Sequence, residues 1–111
     1  IDARRLDDMD IADIGFIKID VEGFEQAVLD GARDTIARDR PVLLIEMEEA
    51  HTAQPIEEAI ARVESLGYRG LFLHRGVLRP IDAFDGDRHH RQAASRQDYV
   101  FNFIFLPHDT R

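Results

Sequence analysis

Alternating and continuous apolar runs divide this chain into short strands and helices. Between positions 16 and 21 the residues alternate, which places Phe16, Lys18 and Asp20 on one face of a strand and three branched apolar residues on the other. The stretch that follows has apolar residues at helical spacing, and Gly31 interrupts it.

The same patterns predict more strands and one more helix further along. Val42 to Ile45 is a continuous apolar run, which is typical of a strand covered on both faces. Pro55 stands at the start of an amphipathic helix, and Gly67 ends that helix. In total we predict strands over 16–21, 42–45, 70–74 and 99–106, helices over 24–37 and 55–66, and a long mobile loop over 77–98.

This order of elements predicts an α/β fold with a mostly parallel sheet. Strands and helices that alternate through short connections form parallel sheets covered by helices. The last two strands are joined without a helix, so we expect them to pair antiparallel. Acidic residues follow two of the strands, and open α/β sheets bind ligands at the carboxyl ends of their strands.

Composition narrows the classes of function. The 111 residues form one domain at most. The 22 acidic and 14 basic residues give a net charge of −8, which argues against a broad surface for nucleic acid or an anionic membrane. The chain has no cysteine, which is compatible with the cytoplasmic location that we expect. No apolar run approaches the roughly 20 residues of a membrane span.

The most informative segment runs from Ile17 to Ala32 and reads I-K-I-D-V-E-G-F-E-Q-A-V-L-D-G-A. It resembles the hallmark of the FkbM-type methyltransferases, I-K-I-D-x-E-G-x-E-x-x-V-L-x-G-A. Segments 6–8, 40–46 and 102–107 resemble the family as well, so the resemblance spans most of the chain.

The resemblance implies a partial Rossmann-like methyltransferase sheet of about four strands, mostly parallel, with one antiparallel strand near the edge and helices on both faces. It also implies S-adenosylmethionine as cofactor. Enzymes of this class hold the cofactor with a glycine-rich loop, whereas the seven glycines here are scattered singly. We therefore interpret residues 1–111 as the carboxyl-terminal half of a single domain without its cofactor-binding half, and we assign no cofactor-binding residue.

Asp20, Glu22 and His51 are the candidate catalytic residues. Methyl transfer requires an aligned acceptor atom, together with a base when that acceptor is a hydroxyl. Asp20 and Glu22, between the first strand and its helix, can supply this base, and the alternative is a structural turn in which they favour the helix start. Histidine titrates near neutrality, so His51 is a third candidate base, with an ordinary loop histidine as the alternative.

Lys18, Gly23, Glu46 and Glu48 are the candidate substrate-binding residues. Lysine is costly to bury unless paired, so an ion pair of Lys18 with Asp20 is the structural alternative to a contact with substrate. Gly23 allows a close approach of the backbone or a sharp turn. Glu46 and Glu48 follow the second strand and can join the other acids there. Hard cations bind such oxygen sites, but the spacing fixes no metal and we assign none.

His89 and His90 lie between two arginines in the predicted loop. We interpret this segment as a solvated charged run. A substrate lid or an anion contact is the alternative.

The resemblance therefore implies methyl transfer from S-adenosylmethionine to a hydroxyl of a small molecule or sugar. One alternative is a non-catalytic interaction domain derived from the same fold. The other is a Mg²⁺-dependent hydrolase or phosphodiesterase, because residues 45–49 faintly resemble a segment of a phosphodiesterase family. The expected partner is a small-molecule substrate, with neither nucleic acid nor membrane. The first strand has an exposed edge in such a fragment, so we expect a homo-oligomer formed through that edge.

Overall fold

The computed structural model describes residues 15–20, 25–49 and 54–108. The strands are β1 (Phe16–Ile19), β2 (Val42–Glu46), β3 (Tyr68–His74), β4 (Val77–Pro80) and β5 (Asn102–Pro107). The helices are α1 (Glu25–Gly31), α2 (Arg33–Asp39) and α3 (Ile56–Glu64), followed by a 3-10 turn (Ile81–Ala83) and a π-helical turn (Asp87–Arg91).

The five strands form one mixed sheet in the order β1-β2-β5-β3-β4. Only β1 and β2 pair parallel, and the other three pairings are antiparallel. The last strand, β5, inserts between β2 and β3, with Glu46 opposite Asn102 and Gly70 opposite Phe105.

The expected fold class, a mostly parallel Rossmann-like sheet of about four strands, is wrong. The insertion of β5 separates β2 from β3, so each of these strands pairs with an antiparallel neighbour instead of with the other. A fifth strand, β4, adds a further antiparallel pairing at the edge. Pattern analysis finds strands but does not determine their order in the sheet, and the order decides which pairings form.

The expectation of helices on both faces is also wrong for the described part of the chain. Buried side chains from all three helices join the same core as one face of the sheet, which includes Ile19, Ile45 and Phe103. From β1 to β2 to β3 the chain crosses the sheet in one direction. Because such crossovers are right-handed, both place their helices on the same side.

The opposite face of the sheet, here called the open face, is less covered. Leu44, Asn102 and Ile104 on this face are half-buried, whereas Phe103 and Phe105 on the covered face are fully buried. On the edge strand, Phe16 is 57% exposed. The two faces therefore differ in burial along the same strands.

Predictions for the helices are confirmed in their main features. The stretch 24–37 contains two helices that meet at Gly31 and Ala32, and Ile36 is buried. In α3 the apolar stripe is buried, and Gly67 follows with a φ of +91° that suits the end of a helix. Arg40 donates to the carbonyl oxygens of Leu66 and Gly67 at 2.8 and 2.6 Å, which ties the end of α2 to the end of α3.

The prediction of a long loop over 77–98 is wrong. Arg75 and Gly76 have φ of +50° and +78°, the signs that a two-residue hairpin turn requires, and they connect β3 to β4. Further on, the π-helical turn is held by Arg91, which pairs with Glu49 at 2.7 Å and Glu57 at 2.6 Å. Long-range ion pairs fix this segment, and local sequence patterns do not show them.

Candidate functional site

Polar side chains gather where β1 and β2 end. Asp20 follows β1 and Glu46 ends β2. The parallel pairing of these strands brings their carboxyl ends to one edge of the sheet. Because β5 is antiparallel, Asn102 at its amino end lies at the same edge, opposite Glu46. This edge is the candidate functional site.

Glu46 and Asp20 form the centre of this site. Partial burial is the main factor that raises the pKa of Glu46 above the ordinary value. The nearby carboxylate of Asp20 and a side-chain hydrogen bond with it raise this pKa further, and Lys18 opposes the shift. Two carboxyl groups that share a hydrogen bond hold a proton more readily than one alone, so Glu46 is suited to accept a proton.

Glu48 is connected to the same site through Tyr99. The Tyr99 hydroxyl donates to a carboxylate oxygen of Glu48 at 2.9 Å. Burial, followed by this hydrogen bond, raises the pKa of Tyr99 to about 12. The phenol therefore stays protonated and keeps Glu48 in place. Its ring stacks between His90 and Phe101, with centroid distances of 5.0 and 5.5 Å.

A cavity of about 470 Å³ adjoins these residues. Its walls include Leu73, Arg75, Tyr99, Phe101 and Asn102. Tyr99 and Asn102 connect it to the carboxylates, because one bonds Glu48 and the other pairs with Glu46. The volume is within the range of roughly 300–1,000 Å³ that is typical of small-molecule sites. We call it the acceptor cavity.

The structure brings together four of the seven candidate residues from the sequence: Lys18, Asp20, Glu46 and Glu48. Lys18 is exposed rather than buried, so the expected cost of burying it does not arise, and its charge acts on Glu46. Glu22, Gly23 and His51 lie outside the described residues, and their predicted roles stay predictions.

Tyr99 is the residue of this site that the sequence did not indicate. It lies 51 positions from Glu48, and no local pattern shows that the two meet. Asn102 gave a partial signal, because a polar residue inside an apolar strand requires a hydrogen-bond partner. The signal showed that Asn102 is unusual but did not show which strand it faces.

The features that hold S-adenosylmethionine in this class of enzyme are not found among the described residues. These residues contain no glycine-rich turn after a strand, and the acceptor cavity has Arg75 in its wall but no carboxylate to hold ribose hydroxyls. Among these residues no three His, Cys, Asp or Glu side chains are grouped to hold a metal ion. No helix in the described part of the chain is long and apolar enough to cross a membrane.

Comparison with known proteins gives one match. Residues 1–70 of the 111 match the family described as Methyltransferase FkbM domain. No curated protein matches, and no solved structure matches. The matched region is the amino-terminal part of this chain and does not support its interpretation as the carboxyl-terminal half of the domain. Since the match covers more than half of the sequence, the chain belongs to the FkbM methyltransferase family.

Proposed function

We propose that this chain binds the methyl acceptor in a methylation reaction that uses S-adenosylmethionine. The proposed acceptor is a hydroxyl group of a small molecule or sugar. Family membership supports methyl transfer in general. The observation that carries the proposal is the close approach of Asp20 and Glu46 at the carboxyl ends of the parallel strands β1 and β2, which raises the pKa of Glu46.

The chemistry of this pair suits a hydroxyl acceptor. An alcohol is a weak nucleophile until its proton is removed, and a carboxylate with a raised pKa is a better base than an ordinary one. In the proposal Glu46 accepts the hydroxyl proton, and Asp20 stabilises the protonated form through their shared hydrogen bond. Glu48, held by Tyr99, accepts a hydrogen bond from a second hydroxyl of the acceptor.

The walls of the acceptor cavity favour a sugar or another polyol. The stacked rings of Tyr99 and Phe101 offer an apolar surface, and Asn102 and Arg75 offer polar groups. Aromatic surface next to several hydrogen-bonding side chains suits both the apolar faces and the hydroxyl groups of a sugar ring.

The test is a methyl-transfer assay of the protein with S-adenosylmethionine and a panel of sugars and polyols. We expect Glu46→Gln to lower the rate by roughly 10²–10⁴-fold, the usual contribution of a general base. Glu58→Gln, at an exposed position of α3, is the matched control and should leave the rate unchanged. Full activity of Glu46→Gln would exclude Glu46 as the base.

A non-catalytic interaction domain is the second candidate. Phe16 is 57% exposed on β1, and β1 has no neighbour on its outer side among the described strands. Such an edge can pair with another chain, so we also propose self-association through β1. We also propose that the protein acts in the cytoplasm.

A further inference from the structure

A second cavity, of about 290 Å³, has no part in the proposed function. Its walls include His74, Arg88, His89, Gln92 and Asp98. Successive residues of a strand point to opposite faces. In β3, His74 therefore lies on the covered face, whereas Leu73, which lines the acceptor cavity, lies on the open face. We call this space the imidazole cavity.

His89 is the unusual residue of the imidazole cavity. It is 3% exposed, and its ring packs against Phe72 and Phe84 with centroid distances of 5.2 and 5.7 Å. The Asp85 backbone N–H donates to Nδ1 at 3.0 Å, so the ring proton is on Nε2. That nitrogen is buried and has no hydrogen-bond partner in the described part of the chain.

The adjacent residue His90 shows what a structural histidine looks like here. It is 5% exposed, and both of its nitrogens are bonded. Nδ1 donates to the carbonyl oxygen of Val100 at 2.8 Å, and Nε2 accepts from the backbone N–H of Glu49 at 2.9 Å. A buried donor without an acceptor is costly and rare in native proteins. The Nε2–H of His89 therefore requires an acceptor that this part of the chain does not supply.

The charges around the imidazole cavity favour an anionic acceptor. Its one carboxylate, Asp98, is already engaged by Arg75 at 2.6 Å, His74 at 3.3 Å and Ser95 at 3.2 Å. Arg88 in the wall adds a positive charge. A guanidinium forms strong, charge-assisted hydrogen bonds with carboxylate and phosphate oxygens.

Other charged groups around the ring have the same effect. Burial is the main factor that lowers the pKa of His89, followed by His74 and Arg88, with a smaller contribution from Arg79. Asp85 opposes them. The ring is therefore neutral near pH 7 and acts as a donor through Nε2, with the guanidinium groups of Arg88 and Arg79 nearby.

We propose that the imidazole cavity binds a small molecule through a carboxylate or phosphate group, with His89 Nε2 and the Arg88 guanidinium as donors to its oxygens. The cavity is close to the lower end of the usual size range for ligand sites, roughly 300 Å³. The site lies on the covered face, is separate from the acceptor cavity, and does not depend on the proposed function.

The test is an NMR titration of the histidine side-chain nitrogens with sodium phosphate and, separately, with sodium acetate, against sodium chloride at equal ionic strength. We expect a saturable shift of His89 Nε2 and little change at His90. Saturation by phosphate alone would identify a phosphate group, and saturation by acetate alone would identify a carboxylate. Saturation by neither anion, as for a nitrogen bonded to water, would overturn the proposal.

Two variants make the test specific, with the Gln92 backbone amide as the signal. Arg88→Gln should weaken binding about tenfold or more, whereas Arg62→Gln, an equal change of charge at an exposed position of α3, should leave it unchanged. His89→Phe keeps the aromatic packing and should abolish saturation. Equal effects of the two arginine variants, or full binding by a folded His89→Phe protein, would contradict the proposal.

Discussion

The acceptor cavity and the imidazole cavity lie at the same end of the sheet, on opposite faces, and their chemistry differs. The acceptor cavity lies on the open face, where its wall residue Tyr99 bonds Glu48 and its wall residue Asn102 lies opposite Glu46. The imidazole cavity contains a buried histidine, with an arginine in its wall. Burial raises the pKa of Glu46 in the first and lowers that of His89 in the second. Loss of contact with water thus favours a proton acceptor at Glu46 and a neutral donor at His89.

The largest expected difference between the two faces is in stability. Phe103 and Ile104 are neighbours in β5, but Phe103 is fully buried on the covered face and Ile104 is half-buried on the open face. Phe103→Ala should lower the free energy of unfolding by about 3–5 kcal/mol, because it leaves a cavity in the core. Ile104→Ala should cost clearly less. Urea denaturation measures both, and equal losses would mean that the open face is as well packed as the covered one.

A second comparison concerns the stability cost of replacing each of two adjacent buried histidines, His89 and His90. His90→Phe removes both hydrogen bonds of the ring and should cost about 1–3 kcal/mol, since Val100 O and Glu49 N lose their partner. His89→Phe removes one hydrogen bond, from the Asp85 backbone N–H to Nδ1, together with a donor that has no partner among the described residues, so it should cost less than His90→Phe. Thermal unfolding of both variants checks the order. A greater loss for His89→Phe would mean that Nε2 is bonded in solution.

The pH dependence of stability tests whether the pKa of Glu46 is raised in the folded protein. The pKa of Glu46 is raised in the folded state above its ordinary 4.5, so the folded state binds more protons than the unfolded state in that window. Its contribution to stability therefore falls as the pH rises through the folded-state pKa. Glu46→Gln should raise the melting temperature at pH 7.5 by a few degrees and change it little at pH 4. An equal change of melting temperature at both pH values would exclude a raised pKa of Glu46.

The smallest expected effect concerns the sheet edge. Phe16→Lys places a charge on β1 and should reduce self-association while leaving stability nearly unchanged, since Phe16 is 57% exposed. Light scattering at several protein concentrations measures this change. A wild-type protein that stays monomeric at high concentration would remove the basis for association through β1.

The sequence predicted where β1, β2, β3 and β5 lie along the chain, but it predicted neither β4 nor the order of the strands in the sheet. Local signals were sufficient for α3 and for the break at Gly31, because apolar spacing and glycine act over a few residues. The position of β5 between β2 and β3 depends on contacts across more than 50 residues, such as Leu43 with Phe105. No local pattern contains that information, so the predicted sheet was parallel where the observed one is mixed.

The candidate site was predicted in part for the same reason. Asp20 follows β1 directly and Glu46 is the last residue of β2, so the sequence placed them together. Tyr99 and His89 acquire their roles only when the segment after β4 folds back onto the sheet. That segment was predicted as a solvated loop because its charges are dense, yet those charges pair with one another and with α3.

The central claim is that Asp20 and Glu46 act as a coupled pair at the carboxyl ends of β1 and β2. An NMR titration of the Glu46 side-chain carboxyl in the wild-type protein and in Asp20→Asn tests it most directly. We expect the wild-type Glu46 to titrate above 4.5, and we expect Asp20→Asn to move its pKa back towards that value because a like charge is removed. A Glu46 that titrates at its ordinary value, with no response to Asp20→Asn, would contradict the account.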